Sequence, residues 1–306
     1  AHRRQERRPE GDRMTTAAEV IAAHRAAGEA FTAEGVQSFR RVQGDGEPVV
    51  LMHGLPASSF LYRKVVPQLA AAGFRAVAFD LPGLGLASRP TDFDYTFTGL
   101  GEWAVAAVDA LGLDRFHLVV HDAGGPVGFE LAHRRPDRIR SLTLLNTVVA
   151  MDTVPFPMEV YARFATGPRW PALPPQALTR ELVYRVGIRD RAAVPAHEVD
   201  VYRELVLRED GGRAYLQIMR NLERTSEKAR LYASVVDTRR VPYPVQIVWG
   251  ADDPILSLRK HGWAAREAAG LSTILTLPGK HFLQEDMAGE VAEAVADFAR
   301  TASLRP

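Results

Sequence analysis

Between Phe116 and Gly128 an apolar, β-rich run, Phe116-His117-Leu118-Val119-Val120-His121-Asp122, ends abruptly in Ala123-Gly124-Gly125-Pro126-Val127-Gly128. Helix-compatible residues follow from Phe129 to Arg135. A chain turns from strand to helix that sharply only where the residues after the apex carry little side chain, because packed Cβ atoms would collide. The apex residue is then held out at the end of the strand, the geometry of a nucleophile elbow. Here the apex is Asp122, and no Gly-x-Ser-x-Gly occurs anywhere in the chain. The same residues also suit an ordinary turn with an acid near a helix N-terminus, where the dipole favours it. What the rest of the chain places around the elbow decides between the two.

Taken in order, Thr15 to Ala33 is Ala-rich and expected to be helical. Gln37 to Val42 is expected as a strand, with Gly44-Asp45-Gly46 as a hairpin turn. Val49 to Met52 reads as a short buried strand leading into His53-Gly54-Leu55-Pro56. Tyr62 to Ala72 is an amphipathic helix stopped by Gly73. A strand over Arg75 to Phe79 leads to Asp80-Leu81-Pro82-Gly83-Leu84-Gly85, and a helix spans Thr98 to Leu111. Beyond the elbow, Ile139 to Leu145 is a strand ending at Asn146-Thr147. From 148 to 240 the buried-strand pattern stops, and a Pro-, Arg- and Tyr-rich stretch of helical periodicity is expected to form an inserted helical lid. Strands resume at Val245 to Trp249 and Thr273 to Leu277, and a helix over Gly289 to Thr301 closes the chain. Strands alternating with helices predict an α/β fold, a mostly parallel sheet with helices on both faces. Its core is expected from 15–147 and 241–306. The 306 residues are ample for that core and an insertion. Residues 1–14 are expected to be a disordered extension; the first 13 hold five arginines and three acids and lack the apolar core of a secretory signal.

Composition narrows the chemistry. With no cysteine, disulfides, Cys-ligated zinc and iron–sulfur clusters are excluded. A formal net charge of +1 argues against nucleic acid or an anionic membrane as partner. No apolar run approaches the roughly 20 residues that span a bilayer, and the expected compartment is the cytoplasm. No cofactor or metal is expected. Gly83-Leu84-Gly85 lacks the third glycine of a dinucleotide fingerprint. His117 and His121, about 13 Å apart on one strand, are too distant to share a metal; His121 is expected to be a structural hydrogen-bonding residue.

Open parallel sheets carry their chemistry at the carboxyl ends of the strands. His53, Asp122, Asp253 (with Asp252 beside it) and His281 all sit there. The order Asp122, Asp253, His281 is that of nucleophile, acid and base on such sheets. Singly, each has a plainer reading: an Asp capping the helix after Pro254, or a solvated loop histidine.

The chain resembles the α/β-hydrolases of the haloalkane dehalogenase and epoxide hydrolase group from about Gln37 to Thr301. The resemblance is carried by His53 to Pro56 with Ser58 to Arg63, Asp80 to Gly85, Val119 to Gly125, Asn146-Thr147, Trp249 to Pro254 and His281. It implies an Asp122 nucleophile that forms an alkyl-enzyme ester at an sp3 carbon. His281 would activate water, and Asp253, three residues after Gly250, would orient it. Backbone N–H groups of Leu55 and Ala123 would form the oxyanion hole. The implied substrate is a small hydrophobic organic molecule attacked with water, and oligomeric state is left open.

Dehalogenases hold the leaving halide with a Trp after the nucleophile and a second Trp or an Asn; here Ala123 and Leu55 occupy two of those positions, leaving Trp170 as a candidate donor. Epoxide hydrolases use lid tyrosines; Tyr161 suits the first, Met219 occupies the second, and Tyr215 lies one turn earlier on the same face. Val120 and Ser58-Ser59 are more dehalogenase-like. The resemblance therefore implies an epoxide hydrolase first and a haloalkane dehalogenase second. Hydrolysis or decarboxylation of a strained oxygen heterocycle such as a β-lactone, and a non-catalytic binding member, remain further alternatives.

Overall fold

The computed structural model of the chain describes residues 15–151 and 173–304. An eight-stranded sheet, ordered β1-β2-β4-β3-β5-β6-β7-β8, forms its centre. The strands are β1 (Glu29–Ala33), β2 (Val36–Gln43), β3 (Glu47–Met52), β4 (Phe74–Phe79), β5 (Phe116–Asp122), β6 (Ile139–Thr147), β7 (Val245–Gly250) and β8 (Leu275–Leu277). β2 runs antiparallel to β1 and β4; from β4 across to β8 every pairing is parallel.

Buried parallel strands send alternate residues to opposite faces. Leu118 and Val120 of β5 join a cluster with α3 (Phe97–Ala110), α4 (Gly124–Arg134), α8 (Ser226–Val236) and α9 (Trp263–Ala269). Val119, between them, joins α2 (Val65–Ala71), α10 (Leu283–Asp286) and α11 (Ala288–Ser303) on the other face. Burying each such Leu or Val contributes about 1.5–3 kcal/mol, so both faces of β5 help to hold helices on the sheet. Between β6 and β7 the described residues form α5 (Gln176–Val186), α6 (Ala196–Leu207), α7 (Arg213–Arg220) and α8. Helices α5 and α6 share an apolar cluster with Phe60, Leu61 and Phe282, and with residues of α1 (Ala17–Ala26). Helix α8 packs on α4, with the Phe129 and Tyr232 rings 5.5 Å apart. Among the described residues no helix is long and apolar enough to cross a membrane.

Two expectations at the start of the chain are corrected. The Ala-rich run is helical only from Ala17 to Ala26, and Glu29–Ala33 is a strand. Its partner follows at once: Glu34 and Gly35, with φ of 46° and 72°, close a tight β1–β2 hairpin of the kind whose twist matches its strands. Gly44-Asp45-Gly46 is not a hairpin turn, because β4 lies between β2 and β3.

Candidate active site

The site is assembled from six strand ends, and the elbow is its fixed point. Asp122 closes β5 with φ of 51°, the left-handed region, and Ala123 returns to helical values as α4 begins. A non-glycine residue held there costs on the order of 1–3 kcal/mol, and it persists only where neighbours enforce it. They do: the Thr147 hydroxyl donates to the Asp122 carbonyl at 2.6 Å. The start of α4 also presses on the end of β3, where a Cβ at Gly124 would stand 2.6 Å from the Met52 and His53 carbonyl oxygens.

The Asp122 carboxylate, itself buried, points into the loop after β3. Leu55 N–H donates to Oδ1 at 2.7 Å, and the Ala123 N–H donates to the same carboxylate. Two backbone donors thus converge on one acidic group. The approach depends on Gly54, where a Cβ would fall 2.4 Å from Asp122 Oδ1 and 2.7 Å from Ala123 N. His53 holds this loop from behind. Its Nδ1 lies 3.0 Å from the Gly54 carbonyl and its Nε2 accepts the Leu81 N–H at 3.1 Å, so the ring proton belongs on Nδ1. Burial lowers its pKa, consistent with a neutral ring. The following Leu55–Pro56 peptide bond is cis.

His281, after β8, bridges two carboxylates. Nδ1 is 2.8 Å from Asp253 Oδ2, and Nε2 is 3.4 Å from Asp122 Oδ2. Asp253 does both things its sequence suggests, on different oxygens. Oδ1 accepts the Ile255 and Leu256 N–H groups at 2.8 and 2.9 Å, while Oδ2 faces His281. Asp252 is exposed and pairs with Arg189 at 3.0 Å. His121 has the structural part expected of it, with Nε2 2.8 Å from the His281 carbonyl oxygen.

Charge follows from this packing. Burial alone would raise the Asp122 carboxyl, but the hydrogen bond and charge of His281, with the Ala123 amide, outweigh it and leave the carboxyl below its usual range. Asp253 is likewise lowered despite burial, chiefly by His281. Burial disfavours the His281 cation, yet Asp253 and then Asp122 outweigh that and raise the imidazole to about 10. The packing therefore favours the charged form of each of the three groups.

Asn146 is singled out by sequence without a role, and the structure supplies one. Its Nδ2 donates to Asp253 Oδ2 at 2.6 Å and its Oδ1 accepts the Gly250 N–H at 2.9 Å. Its φ of 32° is one that Asn tolerates better than most residues, which is the local signal that marks it.

Beside Asp122 and Ala123 is a cavity of about 20 Å³, room for one water, lined among the described residues by Phe97, Pro126, Val148, Met151 and Leu222. None of those five side chains has a polar hydrogen. Tyr215 and Met219, on α7, are buried in the main apolar cluster rather than on this lining. Tyr161 and Trp170 lie outside the described residues. Among the described residues, no group of three or more His, Asp or Glu could hold a metal ion. Chemically, the arrangement offers a buried carboxylate that meets two backbone amides, with the Leu55 amide on Oδ1 and an imidazole facing Oδ2.

Comparison with known proteins bears on the fold and the family. Residues 47–288 match the family described as alpha/beta hydrolase fold. A haloalkane dehalogenase of Mycolicibacterium smegmatis is 31% identical over 274 residues, spanning 83% of this chain and 85% of that protein. Among solved structures, Cfl2 of Burkholderia cenocepacia aligns with a TM-score of 0.75 at 25% identity, over 89% of this chain and 95% of the other. The epoxide hydrolase CorEH aligns with a TM-score of 0.70 at 23% identity, over 91% and 99% of the two chains, a likeness of fold alone.

Proposed function

The chain belongs to the α/β-hydrolase family and is an enzyme of that type, and from that premise we propose that it opens electrophilic sp3 carbons through an ester on Asp122, with epoxides as substrate. One observation carries the reading: a buried Asp at the elbow apex, with Oδ1 on the Leu55 amide and Oδ2 3.4 Å from His281 Nε2. A carboxylate is suited to displacement at saturated carbon, whereas its attack on an ester carbonyl would give a reactive anhydride.

In the first step Asp122 Oδ2 bonds to carbon, and the C–O bond of the ring breaks with its electron pair on oxygen. That oxygen takes a proton and remains on the substrate as a hydroxyl; Tyr215 is not on the cavity lining, which leaves Tyr161, outside the described residues, as the candidate donor. In the second step water attacks the Asp122 Cγ while His281 Nε2 takes its proton. The oxyanion forms on Oδ1, which already accepts the Leu55 amide, with the Ala123 amide on the same carboxylate. Collapse releases the diol and restores the carboxylate. Ester formation also prepares the base. It removes the Asp122 charge that helps hold His281 protonated, so the imidazole can deprotonate while Asp253 keeps it oriented. The apolar lining suits a small hydrophobic substrate. We assign the covering role expected of 148–240 to its described helices α5 to α7, since α8 packs on α4.

Dehalogenation is the second reading, favoured by the dehalogenase relative at 31% identity. Against it, the side chains at positions 55 and 123 are Leu and Ala, with no N–H for a departing halide. The test is intact-protein mass spectrometry of His281→Gln after exposure to epoxides, bromoalkanes and β-lactones. An adduct of whole-substrate mass on Asp122 supports ring opening, and one lighter by the hydrogen halide establishes dehalogenation instead. If Asp122 stays unmodified across the panel and Asp122→Asn behaves identically, the covalent mechanism is wrong.

A further inference from the structure

His281 stands on a loop after β8, a three-residue strand at the sheet edge with a single neighbour. Sites on such loops need outside support to hold a productive geometry. Asp253 and His121 supply part of it. Most of the remaining contacts come from the stretch between β6 and β7. Lys280 Nζ donates to the Arg185 and Tyr184 carbonyls at 2.9 and 3.3 Å, in the last turn of α5, where unpaired carbonyls and the dipole favour a cation. The His281 backbone N–H donates to the Val186 carbonyl at 3.3 Å and that of Phe282 to Gly187 at 2.9 Å. The Phe282 ring lies flat on Tyr202 of α6, centroids 5.4 Å apart and planes 3° from parallel. Asp286 Oδ2 accepts the Arg189 and Asp190 N–H groups at 2.7 and 2.8 Å.

We infer that residues 184–190 are a positioning splint for the base. They fix where His281 Nε2 stands relative to Asp122, so hydrolysis of the ester depends on their docking whereas its formation does not. The inference rests on the covalent reading above. Gly187 is its most sensitive point. Its backbone (φ −100°, ψ −37°) suits any residue. A Cβ there, however, would stand 2.4 Å from Phe282 Cδ2 and 2.9 Å from the Val183 carbonyl oxygen. Gly187→Ala therefore displaces the neighbour of His281 without demanding an unusual backbone at 187.

The test compares Gly187→Ala and Asp286→Ala with Glu29→Ala on β1, which removes an exposed pair with Arg40, away from the splint. Each is made in the full chain. The first readout is the downfield Nδ1–H proton resonance of His281, identified by its loss in His281→Gln. The second is single-turnover formation and decay of the Asp122 ester from styrene oxide and from bromohexane. In the two splint variants the resonance should shift or broaden and ester decay should slow about 10–100-fold, with ester formation within about twofold of wild type. Glu29→Ala should change neither. An unshifted resonance with unchanged decay in a folded splint variant overturns the inference; if Gly187→Ala does not fold, Asp286→Ala decides. If neither probe marks Asp122 in the wild-type protein, the covalent reading fails there, and the resonance alone decides the splint.

Discussion

At the scale of residues, the oxyanion pocket depends on an absent side chain. Gly54→Ala places a methyl group 2.4 Å from Asp122 Oδ1. The folded variant should lose about 10²–10³-fold in ester hydrolysis, read by rapid-quench kinetics. Asn146→Ala leaves the Gly250 N–H and one Asp253 contact unpaired. It should cost about 1–3 kcal/mol of stability, read from urea midpoints. The pH dependence should separate the two half-reactions. Asp122 is held below its ordinary range, so ester formation should persist into acid; decay needs neutral His281 and should fall first as pH drops. Single-turnover rates from pH 5 to 9 would check this, and parallel acid limbs for both steps would contradict it. Much of the candidate site is legible in sequence, because Asp122, Asp253 and His281 each stand at or just beyond the end of a recognisable strand. Asn146 is less so, since its meaning lies in a contact with Asp253 that only the closed sheet creates. Asp252 and Asp253 are neighbours in the chain yet end in opposite environments, and the spacing from Gly250 points to the buried one.

At the scale of elements, α4 does two jobs. Its first turn holds the elbow, and Glu130, farther along, is buried against Lys228 and Tyr232 of α8 and Arg134 of its own helix. Burial would raise the Glu130 carboxyl, but Lys228 and Arg134 outweigh it and lower it. Glu130→Gln leaves the mostly buried Lys228 ammonium short of a partner, with Glu223 still 3.5 Å away. The expected loss is about 3 kcal/mol, the low end for broken buried pairs. The double variant Glu130→Leu with Lys228→Met should recover most of it in urea unfolding; a double variant no better than the single would show that the pair itself is not what matters. Elements whose signal is local, such as β5 and α3, are legible from periodicity. β1 is not, because an Ala-rich neighbourhood reads as helix and only the hairpin with β2 makes Glu29–Ala33 a strand. Nor does periodicity reveal the α4–α8 contact, made by residues far apart in the chain.

For the whole molecule, acid should be the first stress to tell. His24, packed between Phe39 and Phe60, and His121 are each lowered to about 4, chiefly by burial. A depressed folded-state pKa gives stability that is full above the unfolded value near 6.5 and declines as pH falls toward the folded one. Asp122, Asp253, Glu130 and Glu285 are depressed too and extend the decline into more acid solution. His281 has the opposite sign: its contribution is complete below about 6.5 and fades as pH rises toward 10. Urea midpoints should therefore fall between pH 6.5 and 4, before ordinary carboxylates titrate, and His24→Leu should flatten that slope; an unchanged slope would remove burial of His24 as its cause. The distance between Asp122 and His281 along the chain also has a consequence for synthesis. They are 159 residues apart, roughly 8 to 30 seconds of elongation at ordinary ribosomal rates. During that interval the elbow has no cation to meet its carboxylate, and burying an isolated carboxylate is prohibitive. Closure of the pocket over a charged Asp122 is therefore expected to wait for His281, and limited proteolysis of stalled nascent chains ending before and after that residue would check it.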